Sequence, residues 1–322
     1  MDIEILLALQ QFRNGAGGFL AEFLQKMTFL GELGTVLAIM AVIYWAVDKE
    51  LGTYLLMGWS GNRLVNGFLK VTVCAYRPWI RDERIIPYGN SITTATGYSF
   101  PSGHSMNAAT VYGGTSLRKD LPAALRVVSV ITVALVAFSR LFLGVHTPQD
   151  VIVGIAAGMV VMYLISLLMR WVGDDHKRDL VILLAGTALA IAEAVYAAVK
   201  TYPVDFDPMG NVLVDGAKMA NDTFKGVGWC VAFLIGWFLE RRFVRFSTDV
   251  SKKRKLTRAA AGMLSNYAVS LIIVPLIKGA VGGFAGTAIS CFIQMFYVSF
   301  IFPWLLSRLE RPEETEIAGQ EA

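Results

Sequence analysis

Apolar runs long enough to cross a bilayer recur along nearly the whole chain, separated by short polar connections. A spanning helix needs about 20 mostly apolar residues. On that rule, spans are expected near 28–47, 51–69, 103–117, 125–145, 150–170, 179–199, 226–240, 260–280 and 285–307. The third is short and polar, and the second carries Asn62, Arg63 and Asn66. Residues 3–25 are broken by Arg13-Asn14-Gly15 and Gly17-Gly18, so they read as an amphipathic helix pair at the membrane interface. The expected fold is all-α, a polytopic transmembrane helical bundle of about nine spans.

Composition agrees. Of 322 residues, 55% are hydrophobic and 17% charged, whereas soluble domains carry about 25% charged residues. A soluble globular protein is disfavoured, and so is a disordered one, which needs low hydrophobicity and high charge. The surplus of 29 Lys and Arg over 25 Asp and Glu is too small to suggest a nucleic-acid partner. Cys74, Cys230 and Cys291 lie far apart, a set that fits neither a disulfide framework nor a zinc site and reads as apolar filling. The chain starts Met1-Asp2-Ile3-Glu4, with acids where a signal peptide has bases, so no cleavable leader is expected.

The distribution of charge sets the expected orientation. The connection 241–258 holds Arg241, Arg242, Arg245, Lys252, Lys253, Arg254, Lys255 and Arg258 against a single Asp249. Such a loop belongs on the cytoplasmic side. Alternating through nine spans puts 118–126 and 170–178, also basic, on the same side. It puts 70–100, 146–150 and the acidic 200–225 outside, with the N-terminus out and the C-terminus in.

Ionisable groups at membrane depth are costly, so their clusters mark candidate function. Lys70 and Arg77-Pro78 close the second span; seven residues is two helical turns, which would bring both cations onto one face. Pro101-Ser102-Gly103-His104 precedes the third span, with Ser102 placed to cap the helix and Gly103 to expose its first amides, a ready anion site. Ser139-Arg140, His146 and Asp150 surround the start of the fifth span. Thr147-Pro148-Gln149-Asp150 reads as a capping box, and Asp150 equally as the acid that orients His146. Of three histidines, only His176, among Asp174, Asp175 and Lys177, reads as merely solvated. Three cations, a helix N-terminus and two histidines with one acid suit phosphoryl transfer, where fixed positive charge stabilises the spreading negative charge. No acid cluster offers magnesium ligands, so no metal is expected.

The residues Lys70, Arg77 and Pro78, then Pro101, Ser102, Gly103 and His104, then Ser139, Arg140, His146 and Asp150 meet the pattern K-x6-R-P, P-S-G-H and S-R-x5-H-x3-D in full. In this the chain resembles the type 2 phosphatidic acid phosphatase superfamily, the membrane branch, whose active site is similar to that of the vanadium haloperoxidases. The resemblance implies a six-helix phosphatase core and a lipid phosphate phosphatase without a cofactor. It makes His146 the nucleophile through a phosphohistidine, oriented by Asp150, and His104 the acid that protonates the leaving oxygen. Lys70, Arg77, Ser102, Gly103 and Arg140 then hold the phosphate.

The expected organisation is an interfacial segment over 1–27, a phosphatase core over 28–200, further transmembrane helices over 201–310 and a disordered tail over 311–322. The expected place is a bacterial inner membrane, with the site facing outward. Phosphatidic acid, phosphatidylglycerol phosphate, undecaprenyl diphosphate and sphingoid phosphates all suit the pocket. A phosphotransferase using the same intermediate and a lipid transporter or scramblase are the alternatives. No role is legible for the 200–225 loop or the last spans, and Glu193 and Lys278, both within apolar segments, are candidates to pair, to line a cavity or to snorkel.

Overall fold

Helices form at each of the nine expected positions in the computed structural model, which describes residues 2–310. The expected tail over 311–322 lies outside the described residues. In chain order the helices are α1 (Asp2–Gly15), α2 (Gly18–Thr28), α3 (Leu33–Val47), α4 (Lys49–Val73), α5 (103–117), α6 (Ala123–Phe142), α7 (Pro148–Val172), α8 (His176–Val199), α9 (Gly216–Leu239), α10 (Lys252–Val281) and α11 (Gly283–Leu309). The 200–215 connection carries one antiparallel bridge, Phe206 to Val212.

Among the described residues, five helices are long and apolar enough to cross a membrane: α6, α7, α8, α10 and α11. A sixth span is available if α2 and α3, bent by 54° at their junction, are taken together. The protein is an integral membrane protein. The expectation of nine spans includes α4, α5 and α9, which do not meet this measure. They are the helices richest in site residues, and their positions explain it. α4 packs against α3, α5, α7 and α9, and α9 also against α8 and α11. Polar groups on these helices therefore face protein rather than lipid, where they would be costly. Asn62 of α4 shows the pattern: it is buried and donates to Thr110 Oγ1 of α5 at 2.6 Å.

Small residues let α5 and α7 approach closely. A Cβ on Gly154 would lie 2.9 Å from the Ser102 carbonyl oxygen, and one on Gly158 would lie 2.8 Å from Ala109 Cβ. At the N-terminus the interrupted segment forms a helix pair, α1 and α2, as expected, and both pack against α6. Arg13 at the end of α1 is buried and donates to the Phe142 and Ile86 carbonyls at 2.8 and 2.7 Å.

Two expectations change. His176 is not simply solvated: its Nδ1 lies 3.1 Å from Asp179 Oδ2, which also accepts from Arg241 Nε at 3.1 Å. Asp179 is buried, and a buried carboxylate needs such partners. Glu193 and Lys278 do not share an environment, since Glu193 is buried beside Gly67 while Lys278 is exposed. Cys230 and Cys291 sit in the main apolar core, as expected of small fillers.

Candidate active site

The two cations that close the second span reach the site by different routes. Lys70 lies on the last turn of α4, and its Nζ donates to the Tyr98 carbonyl at 2.7 Å. Arg77 is not on the same helix face, because α4 ends at Val73 where Cys74 turns left-handed (φ 51°, ψ 34°). The chain then runs extended into Arg77 (φ −65°, ψ 153°), since a residue preceding proline is pushed out of the helical region. Pro78 opens a single turn, Pro78–Arg81. The Arg77 guanidinium is held by the carbonyls of Gly97, Thr96 and Val145, each at 3.0 Å. Burial draws it down to about 10, so it stays charged at neutral pH.

Ser102 is the N-cap of α5, as its position before Gly103 predicts: its Oγ accepts from the Ser105 amide at 3.3 Å. Its own amide donates to the Asp150 carbonyl at 2.9 Å, which ties the start of α5 to the start of α7. Thr147 and Asp150 close the expected capping box at α7, with Thr147 N donating to Asp150 Oδ2 at 2.8 Å and Asp150 N to Thr147 Oγ1 at 3.3 Å.

The capping carboxylate also faces the histidine. Asp150 Oδ2 lies 3.3 Å from His146 Nδ1 and accepts from Ser99 Oγ at 2.5 Å. On the other side of the ring, Arg77 Nη1 donates to His146 Nε2 at 2.8 Å. A guanidinium has no acceptor, so Nε2 must carry the lone pair and Nδ1 the hydrogen, which points at Asp150. Burial first, and then the Arg77 charge, hold His146 well below the ordinary histidine range, so the ring is neutral. The result is a neutral imidazole whose lone pair sits on Nε2.

A cavity of about 240 Å³ opens in front of this ring. Of the eight expected site residues, Lys70, Arg77, Gly103, His104 and His146 line it. Ser102, Arg140 and Asp150 are buried behind the wall. His104 Nε2 is buried without a hydrogen-bond partner among the described residues. Arg140 is fully buried at the end of α6, bonded through Nη1 to Thr28 Oγ1, while its Nε and Nη2 have no partner among the described residues. Donors left this way are expensive unless an anion satisfies them. The set can bind a phosphate and present it to Nε2.

Several site residues carry no signal in the motifs. Ser99 supports Asp150 from a loop far away in sequence, and Thr28 holds Arg140 from the end of α2. Arg63, Asp222, Lys225 and Trp229 line the far wall of the cavity. Arg63 lies within the second expected span, and Lys225 just before the seventh.

The PAP2 superfamily model matches residues 51–174, and the model for the transmembrane extension of PAP2 superfamily phosphatases matches 224–314. Phosphatidylglycerophosphatase B of Bacillus subtilis is 31% identical over 171 residues, 49% of this chain and 77% of that protein. Undecaprenyl-diphosphatase of Sulfolobus acidocaldarius is 38% identical over 69 residues, 21% of this chain and 32% of that one. Lipid phosphate phosphatase delta of Arabidopsis thaliana is 24% identical over 189 residues, 55% of this chain and 43% of that one. The crystal structure of a transmembrane PAP2-type phosphatidylglycerolphosphate phosphatase from Bacillus subtilis is similar at 28% identity and a TM-score of 0.44, covering 53% of this chain and 85% of that chain. At 31% identity over 77% of a relative's length, and with the family model lying across every motif of the site, the chain belongs to the PAP2 superfamily as a membrane phosphatase.

Proposed function

We propose that the protein hydrolyses a lipid phosphate through a phosphohistidine on His146, without a metal. The observation that carries this is the neutral His146 ring, with Nδ1 turned to Asp150 and Nε2 turned to the cavity and Arg77. A phosphate entering the cavity takes over the Arg77 donor, which frees the Nε2 lone pair to attack phosphorus. The ester P–O bond breaks as the N–P bond forms, and His104 protonates the departing alkoxide. Water then attacks the phosphohistidine, giving its proton to His104 and releasing inorganic phosphate as the N–P bond breaks. Asp150 stabilises the imidazolium character that develops on the ring.

Lys70, Arg77, Arg140, Ser102 and the Gly103 amide are assigned to the phosphate. Their charge and dipoles meet the negative charge that spreads over its oxygens in the transition state. The names of the relatives, all phosphatases of lipid phosphates, support a substrate of that class. The excess of Lys and Arg in 241–258 supports a site on the outer face, with the C-terminus cytoplasmic. In this reading the phosphatase core runs over 28–200, and 201–310 adds helices to it.

The test is phosphate release in detergent, with EDTA present, from phosphatidic acid, phosphatidylglycerol phosphate, undecaprenyl diphosphate and a sphingoid phosphate. Release that vanishes in His146→Ala supports the reading. Phosphate found only on an acceptor lipid makes the protein a transferase. Wild-type protein that is folded and releases nothing overturns hydrolysis.

A further inference from the structure

The cavity does not end at the phosphate site. Beyond Lys70 and Arg77 it continues along α4 to Arg63, and its far wall is α9, through Asp222, Thr223, Lys225 and Trp229. Arg63 and Lys70 are seven residues apart on one face of α4, a rise of about 10 Å. The two cations therefore serve different ends of the cavity. Gly226 allows α9 to approach here: a Cβ at that position would already touch the Arg63 carbonyl at 3.4 Å.

The groups at this end are arranged rather than scattered. The Arg63 guanidinium lies over the Trp229 ring, 5.6 Å from its centroid, and its Nε is buried with no hydrogen-bond partner among the described residues. Lys225 Nζ is held by Asp222 Oδ1 at 2.5 Å. A second carboxyl, Glu193, approaches from α8 beside Gly67 but is not on the cavity wall. Lys70, Arg77, Arg63 and Lys225 thus meet one carboxylate, Asp222, on the wall. A phosphomonoester dianion at His146 leaves positive charge over, and that charge is at the α9 end.

We propose that Arg63 and Lys225 form a second anion subsite that holds a non-reacting phosphate of the substrate headgroup, supplied in part by the transmembrane extension. The proposal rests on the phosphatase reading above and narrows its substrate to lipids carrying two phosphate groups. Two turns of α4 separate the subsites, which favours phosphates joined through a linker, as in a terminal monoester with an internal phosphodiester, over two that share one oxygen. Asp222 and Trp229 position the two cations and do not touch the reacting phosphorus.

Three lipids in mixed micelles separate the cases: phosphatidic acid with one phosphate, phosphatidylglycerol phosphate with two joined through glycerol, and undecaprenyl diphosphate with two adjacent. Wild-type protein is expected to show a KM for phosphatidylglycerol phosphate at least about 10-fold below that for phosphatidic acid, the scale of one hydrogen bond to a charged group. Arg63→Gln and Lys225→Gln should each erase most of that difference by raising KM, with kcat within about two-fold, and leave phosphatidic acid unchanged. Arg63→Lys should restore part of it. A preference for the diphosphate over phosphatidylglycerol phosphate overturns the proposal, because two phosphates that share an oxygen do not reach subsites set two turns of α4 apart. Equal KM values for one- and two-phosphate lipids, or losses shared equally by all three, overturn the proposal, and the wild-type comparison decides it even if the variants do not fold. If no lipid is hydrolysed, the phosphatase reading fails separately. Equilibrium binding of the same lipids to wild-type and Arg63→Gln protein then tests the subsite, and equal retention of phosphatidic acid and phosphatidylglycerol phosphate rejects it.

Discussion

One oxygen of Asp150, Oδ2, meets Nδ1 of His146 at 3.3 Å and at the same time closes the capping box of the helix that carries it, accepting from the Thr147 amide at 2.8 Å. The structural and the chemical reading of Asp150 are therefore one arrangement. The cap fixes the carboxylate, and the fixed carboxylate fixes the tautomer of the ring four residues earlier.

Ser99 is the third donor to that oxygen, at 2.5 Å. Replacing Ser99 with alanine removes a hydrogen bond to a buried charge, worth about 1.5–3 kcal/mol. The expected outcome is a loss in kcat of about 10-fold or more with KM little changed, and partial retention in Ser99→Thr. Steady-state kinetics on one lipid phosphate reads both. A Ser99→Ala protein with wild-type kcat would remove Ser99 from the support of the ring.

His104 is assigned to protonate the leaving group, a task worth about 10²–10⁴-fold. A good leaving group needs no proton. His104→Gln should therefore slow the first step, read as the pre-steady-state burst of released alcohol, far more on a lipid phosphate than on p-nitrophenyl phosphate, while His146→Ala loses both. Equal losses for His104→Gln on the two substrates would argue against the acid role.

Stability should depend on pH through His146. Its folded value lies well below 6.5, through burial first and then Arg77. The unfolded chain takes up a proton near 6.5 that the folded ring refuses, so stability falls as pH drops through that value. The slope from this group approaches about 1.4 kcal/mol per pH unit at most. Thermal unfolding in detergent between about pH 7.5 and about pH 5.5 should show a steeper loss for wild type than for His146→Asn. Parallel curves would mean the ring is not held neutral.

Gly154 brings α7 against the start of α5. A Cβ there would sit 2.9 Å from the Ser102 carbonyl oxygen, so Gly154→Ala must displace the start of α5, with its cap Ser102 and first-turn Gly103 and His104. Overpacking of this kind costs about 1–3 kcal/mol. The melting temperature and kcat are expected to fall together, whereas Gly34→Ala, with nothing within 4 Å of its Cβ, should change neither through packing.

What the chain alone determines here follows from two local constraints. Lipid demands apolar runs of a given length, so all nine helices could be placed from hydropathy, while the polar starts of α9 (from Gly216, against an expected 226) and α10 (from Lys252, against 260) fell outside those runs. The chemistry demands particular residue types at helix starts, so Ser102, Thr147 and Asp150 could be placed as caps before any contact was known. Tertiary structure decided what joins distant segments. Seven-residue spacing suggests that Lys70 and Arg77 share a helix, but the left-handed Cys74 ends that helix and hands Arg77 to carbonyls at 96, 97 and 145. Thr28 reaches Arg140 across 112 positions, and Arg13 reaches Phe142 across 129. Lys225 enters the cavity from a helix outside the motifs. Periodicity and spacing report on neighbours within one helix; which helix faces are brought together is settled by packing over the whole bundle, and there the second end of the cavity arises.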